Sequence, residues 1–175
     1  MPFAYKPNYT VLYARRQLQL GLQVPFYPTG TDKSDTTVLP PDVEEPGCVA
    51  MFVYNDSGSD IGANKVVARK AATTGARIRI CPSGSDPSLV MGVTLAAIPN
   101  GYCGFIAVAG QVGIEAGAAG ITADTRIKVG AANGVAVDTA STDDFAFAHE
   151  TKASGAIAKC SLRGVPVGPI FDGSM

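Results

Sequence analysis

The chain has 175 residues, 46% hydrophobic and 17% charged, with a net charge of −1 at neutral pH, 20 glycines and 12 prolines. The length suits one domain with an appendage and is enough to bury a core without cross-links. A duplex-binding protein needs a basic face to displace phosphate counterions, and no Lys/Arg cluster supplies one, so nucleic acid is excluded as a partner.

Residues 1–47 differ from the remainder. They hold seven of the twelve prolines (Pro2, Pro7, Pro25, Pro28, Pro40, Pro41, Pro46). Proline removes a backbone donor and drives its predecessor to extended geometry, so this segment cannot pair continuously in a sheet. The opening MPFAYKPNYTVLYARRQLQL lacks a charged start followed by an apolar run and a cleavage site, so no secretion signal is expected. VLYARRQLQLG (11–21) fits a short helix ending at Gly21, whereas QLQLGLQV alternates with period two; helix and strand both stay open. TGTDKSDTT (29–37) reads as a polar loop. The aromatic content is too high for a solvated tail. The segment is therefore read as an extended arm lying on its own domain or on a neighbour.

From Cys48 the pattern becomes β-like. VAMFVY (49–54) reads as a buried strand closed by the turn cluster NDSGSD (55–60). VVAR (66–69) and RIRIC (77–81) follow. LVMGVTLA (89–96) and CGFIAVA (103–109) flank a PNG turn. That turn also interrupts the longest apolar stretch, so no run of about eighteen apolar residues remains to span a membrane. RIKV (126–129), VAVD (135–138), FAFAH (145–149) and AIAKCSLR (156–163) complete the series. Short strands eight to twelve residues apart predict an all-β fold, a compact sandwich or barrel of short antiparallel strands over 48–175 with the arm before it.

An internal echo supports this reading. NGYCGFIAVAGQVG (100–113) can be laid on SGAIAKCSLRGVPV (154–167), bringing Gly101 onto Gly155, Ile106 onto Cys160, Val108 onto Leu162 and Gly110 onto Gly164. Alternate residues of a strand share a face, so Ile106, Val108, Cys160 and Leu162 are expected to point into one core, with Phe105 and Ala107 on the other face. Gly110 and Gly164 are expected to mark bulges or bends.

Chemistry is hard to place on this chain. GFIAVAG has neither the lysine nor the following helix of a phosphate-cradling loop. His149 is the sole histidine. No GxSxG elbow supplies a nucleophile for it, so it reads as a surface residue at a strand end. Cys48, Cys81, Cys103 and Cys160 form no CxxC pair and read as buried free thiols. DVEE (42–45), NDSGSD and Asp143–Asp144 lack calcium-loop spacing and read as solvated turns. There is no tryptophan to form a sugar platform. No catalytic, cofactor or metal residues are assigned, and an enzyme is not expected.

The span from Gly92 to Gly164 resembles the small capsid decoration, or cement, proteins of tailed bacteriophages. It carries GVTLAA, GFIAVAGQV, KVGAANGVAV and GAIAKCSLRG in the order of that family's pattern. The resemblance covers about 70 residues and rests mainly on Gly, Ala and Val at β spacing. It implies a virion structural protein, made in the host cytoplasm, that binds the outside of the major capsid protein lattice. There it would bridge neighbouring capsomers as a homo-oligomer, with a trimer preferred to a dimer. The alternative is a receptor- or glycan-binding head-fibre or tail module, for which exposed loop aromatics such as Tyr102 would be the sign. For capsid binding through the arm, Tyr5, Tyr9, Tyr13, Phe26 and Tyr27 are the candidate contacts, because buried aromatics dominate interface energetics.

Overall fold

The computed structural model describes residues 21–26, 48–70 and 76–163. Within them the chain forms ten strands, one 3-10 turn (Pro87–Leu89) and no α-helix. The strands are β1 (Gln23–Phe26), β2 (Cys48–Asn55), β3 (Val66–Arg69), β4 (Arg77–Ile80), β5 (Val90–Thr94), β6 (Cys103–Glu115), β7 (Arg126–Val129), β8 (Ala136–Thr139), β9 (Ala146–Ala148) and β10 (Ile157–Leu162). The nine strand segments expected after residue 48 all form. Their short β-branched runs end at turn residues that the sheet cannot absorb.

Five strands close into a barrel in the order β2-β4-β3-β5-β6, with β6 pairing back onto β2. All pairs are antiparallel except β2–β4, which run parallel where Tyr54 and Asn55 meet Arg77 and Ile78. Closure removes the exposed edges that an open sheet would carry. Inside lie Met51, Val53, Ile61, Val67, Ile78, Met91, Ile98, Ile106 and Val108.

β6 is 13 residues long and does not stop at the first barrel. Residues 103–110 close that barrel against β2. Residues 110–115 pair with β10, and the sheet continues through β9, β7 and β8. A parallel bridge from Ala136 to Ala116 joins β8 back to the end of β6, so a second ring of five strands is formed. Gly110, with φ +85°, marks the passage between the two, beside a register shift at Val49/Ala50. The expected bend is therefore present at Gly110; Gly164 lies outside the described residues.

The two rings are built to one plan. Ile61 bridges Ile98 and Ile121 bridges Lys152, both antiparallel. Asn64 and Asp124, each three residues after its bridging isoleucine, both have φ +59°. Gly101 and Gly155, each three residues after the second bridging residue, have φ +81° and +75°. Gly101 N–H donates to Asn55 O, and Gly155 N–H donates to Ala116 O, both at 2.9 Å. IGANKVVAR (61–69) thus corresponds residue by residue to ITADTRIKV (121–129). The 100–113 echo of 154–167 is the end of the same duplication.

This duplication corrects one expectation. Ile106 and Val108 do not share a core with Cys160 and Leu162. Ile106 and Val108 lie in the cluster inside the first barrel, whereas Cys160 and Leu162 lie in a second cluster that joins the second ring to the outward-facing Val66, Ala68, Val93 and Ala107 of the first. The opposite face of β6 is not solvent either, since Phe105 and Ala107 are also buried. The rings are tied by backbone bonds from Val66 N–H to Gly134 O, Gly134 N–H to Cys81 O, Gly84 N–H to Gly130 O and Glu115 N–H to Asn64 O. A Lys65–Glu115 ion pair at 2.6 Å lies across the same seam.

β1 belongs to the segment read as an arm and pairs with β2 of its own chain, antiparallel, from Gln23↔Met51 to Phe26↔Cys48. Period-two alternation in QLQLGLQV therefore ends in a strand. The stretch 11–20 of the open helix-or-strand choice lies outside the described residues.

Candidate functional site

Among the described residues a polar and aromatic surface lies at one end of the first barrel, where the turns 55–60 and 98–102 meet. Asn55 is fully buried and ties them together. Its Nδ2 donates to Ile98 O at 2.7 Å and to Ser59 O at 2.9 Å, while its Oδ1 accepts from Ser57 N–H at 3.0 Å. Asn100 N–H donates to Asp60 Oδ1, and Asn100 Oδ1 accepts from Gly58 N–H, both at 2.9 Å. NDSGSD is thus a turn cross-tied to the PNG turn.

On this rim Asp56 accepts ion pairs from Lys70 at 3.0 Å and Arg77 at 3.2 Å. The Lys70 ammonium, followed by Arg77, holds the Asp56 carboxyl below its ordinary range. The Arg77 guanidinium also lies 5.8 Å from the Tyr54 ring centroid, within cation–π range. Tyr102, 39% exposed, stands on the adjoining turn. Lys70 and Arg77 lie 14 and 21 residues from Asp56, and only the β3–β4 hairpin beside β2 brings them together. No spacing in the sequence could announce that. The corresponding end of the second ring has Glu115 in place of Tyr54, Gly117 in place of Asp56 and Ala156 in place of Tyr102. The aromatic and charged group therefore belongs to one half of the duplication. With the Asp56 carboxylate held ionised between two cations, the group is suited to contact rather than to proton transfer.

His149 is exposed just after β9, where the sequence places it. Its Nε2 lies 2.6 Å from Ser161 Oγ on β10, a neighbour that sequence separation concealed. Among the described residues no carboxylate hydrogen-bonds its other ring nitrogen. The adjacent Glu150 spends its carboxylate on the Lys159 N–H at 2.8 Å and on Lys152 at 3.2 Å. Those contacts, the Lys159 N–H foremost, draw its pKa down. The orienting acid and developed charge site of a serine nucleophile are not assembled around this pair.

The four cysteines are buried free thiols. Burial pushes Cys48 up to about 11 and Cys160 up to about 12, and raises Cys81 as well. Such thiols are protonated and unreactive at neutral pH. Among the described residues no three His, Cys, Asp or Glu side chains converge as a metal site. Of the proposed capsid contacts, Phe26 sits at the end of β1, paired with Cys48. Tyr5, Tyr9, Tyr13 and Tyr27 lie outside the described residues.

No family model and no curated protein matches the chain. Among solved structures the fold is similar to the head fiber gp8.5 N base of bacteriophage phi29. The two share 15% sequence identity and a TM-score of 0.50 over 65% of this chain and 92% of that one. At this identity the likeness is one of fold.

Proposed function

We propose that the protein is a structural component of a phage head, a decoration protein that binds the outside of the major capsid protein lattice and bridges neighbouring capsomers. One observation carries the phage-head part of this reading: the fold is similar to nearly the whole of a solved head-fiber base. The sequence resemblance to capsid decoration proteins supports it independently. Self-association, as a trimer, belongs to the same proposal, with residues 1–20 reaching across to the capsid through Tyr5, Tyr9 and Tyr13.

A head-fibre module is the second reading. It is favoured by the identity of the similar structure and by the Tyr54, Arg77 and Tyr102 rim, a composition typical of recognition surfaces. Co-sedimentation with purified capsids separates the two. A decoration protein binds at a copy number close to that of the capsomers, whereas a fibre base binds at a few sites per head. Deleting residues 1–20 is expected to leave a folded domain that no longer sediments with capsids. Full retention of capsid binding by this variant would remove the arm from the proposal, and failure of the intact chain to sediment would remove the capsid.

A further inference from the structure

Among the described residues β1 pairs with β2 only. Beyond the register from Gln23↔Met51 to Phe26↔Cys48, Phe52 N–H donates to Leu22 O and Gly21 N–H to Phe52 O. Phe26 and Cys48 are directly paired, so a loop of about two to five residues would suffice to join them. The chain has 21 residues there, 27–47. At full extension that length spans about 70 Å, well beyond the ~30 Å width of a small domain. The connection therefore does not require β1 to come from the same chain as its β2.

The duplication supplies a second observation. Cys48 pairs with both Phe26 and Gly110, so β1 and β6 lie on opposite edges of β2. Gly110 pairs with both Cys48 and Leu162, so β2 and β10 lie on opposite edges of β6. β1 thus stands to β2 as β2 stands to β6. In the second ring this edge receives a strand from the neighbouring barrel. In the first ring β1 fills the same edge, and among the described residues it belongs to neither barrel.

We propose that β1 is exchanged between copies, so that the β2 edge of one molecule is completed by residues 23–26 of a second copy. The ladder bonds are identical within and between chains, which makes exchange of an identical element a low-cost route to a closed oligomer. Each chain gives one strand and receives one, so the exchange is reciprocal in a dimer and cyclic in a larger ring. This inference does not depend on the capsid reading.

The test uses the full chain and the positions of Pro25 and Val49, which are paired. Counting along β1 from the bonded pair Leu22–Phe52, theirs is a non-hydrogen-bonded pair, where Cα atoms approach most closely. A Pro25→Cys chain carrying a mass tag is co-refolded with an untagged Val49→Cys chain and oxidised. Neither chain can close this bond on itself. The expected result is a mixed cross-linked dimer on a non-reducing gel, with a disulfide between positions 25 and 49 found by peptide mass spectrometry. The double variant P25C/V49C is then expected to give covalent multimers. A double variant that closes as a disulfide-bonded monomer, with no mixed dimer in the co-refolded sample, would overturn the exchange. Absence of the disulfide in every sample would overturn it equally, because pairing of β1 with β2 is its premise.

Discussion

Gly92 shows how little room single positions leave. A Cβ there would overlap the Ala107 carbonyl oxygen and press on the Ile106 side chain. The obstacle is backbone, which cannot rotate away, so Gly92→Ala is expected to cost about 3 kcal/mol or more and to unfold the chain at moderate temperature. Gly84 has an open surrounding and φ +61°, so Gly84→Ala should cost only the left-handed strain of about 1–2 kcal/mol. Comparing the two urea midpoints checks the distinction. Asn55→Ala leaves the buried Ile98 carbonyl without its side-chain donor and is expected to lower stability by about 1–3 kcal/mol, loosening the rim that carries Tyr102. His149→Ala, at an exposed position, should shift the same midpoint by no more than about 0.5–1 kcal/mol. Few of these environments were legible beforehand. Cys81, Cys103 and Cys160 read correctly as buried because they sit in apolar alternating runs. Asn55 read as part of a solvated turn, since nothing in NDSGSD indicates which of its polar residues faces inward.

At the level of elements, the strands after residue 48 were legible because each is an apolar or alternating run bounded by Gly, Asn, Asp or Pro. RIKV and VVAR form over the residues expected. The apolar run 103–109 gives β6 too short, because a bend at Gly110 is expected but not the new partner beyond it. Gly110 is a bend inside one strand, since residues 110–115 keep pairing with a new partner. The facing rule also needed tertiary information. Alternation separates Ile106 and Val108 from Phe105 and Ala107, but it does not say that the outward pair is buried too, Ala107 in the cluster that reaches the second ring and Phe105 against Phe52. Ile106→Asp and Ala107→Asp are accordingly both expected to unfold the protein, each burying an unpaired carboxylate. Circular dichroism should show loss of β signal for both. A folded, non-associating Ala107→Asp variant would mean that this face of β6 meets another subunit instead.

For the whole molecule, the shared strand and the seam between the rings predict one cooperative unfolding transition, with calorimetric and van't Hoff enthalpies in agreement. Ile127→Ala, in the second ring, should lower the melting point reported by tyrosines in the first. Acid should act through carboxylates held below their ordinary pKa. Asp56 is held there by Lys70 and Arg77, and Glu150 by the Lys159 N–H. Asp138 follows them despite its burial, because the Thr122 N–H and hydroxyl donors outweigh desolvation. Their folded pKa values lie below the unfolded ones, so their contribution is present above pH ~4 and disappears as pH falls through the folded values. The buried thiols act in the opposite direction. Unfolded cysteines ionise near 9.0, while Cys48 and Cys160 resist until about 11 and 12, so the fold loses stability as pH rises above about 9. Melting temperature should be flat between about pH 5 and 8 and fall on both sides.

The way β6 joins the rings also fixes how the molecule meets a pull. A strand drawn along its own axis strains all of its ladder bonds together, whereas a strand peeled from one end breaks them one after another. Along its 13 residues β6 is bonded to β2, β5 and β10. Stretching along it therefore works in shear, and the rings yield together or not at all. Tension applied across it, from the β8 side, meets the Ala116–Ala136 bridge and the few backbone bonds of Gly130 and Gly134 one after another. The protein is thus stiff along one direction and gives way along the other, and single-molecule pulling from the two pairs of attachment points should record a high rupture force in the first geometry and a low one in the second.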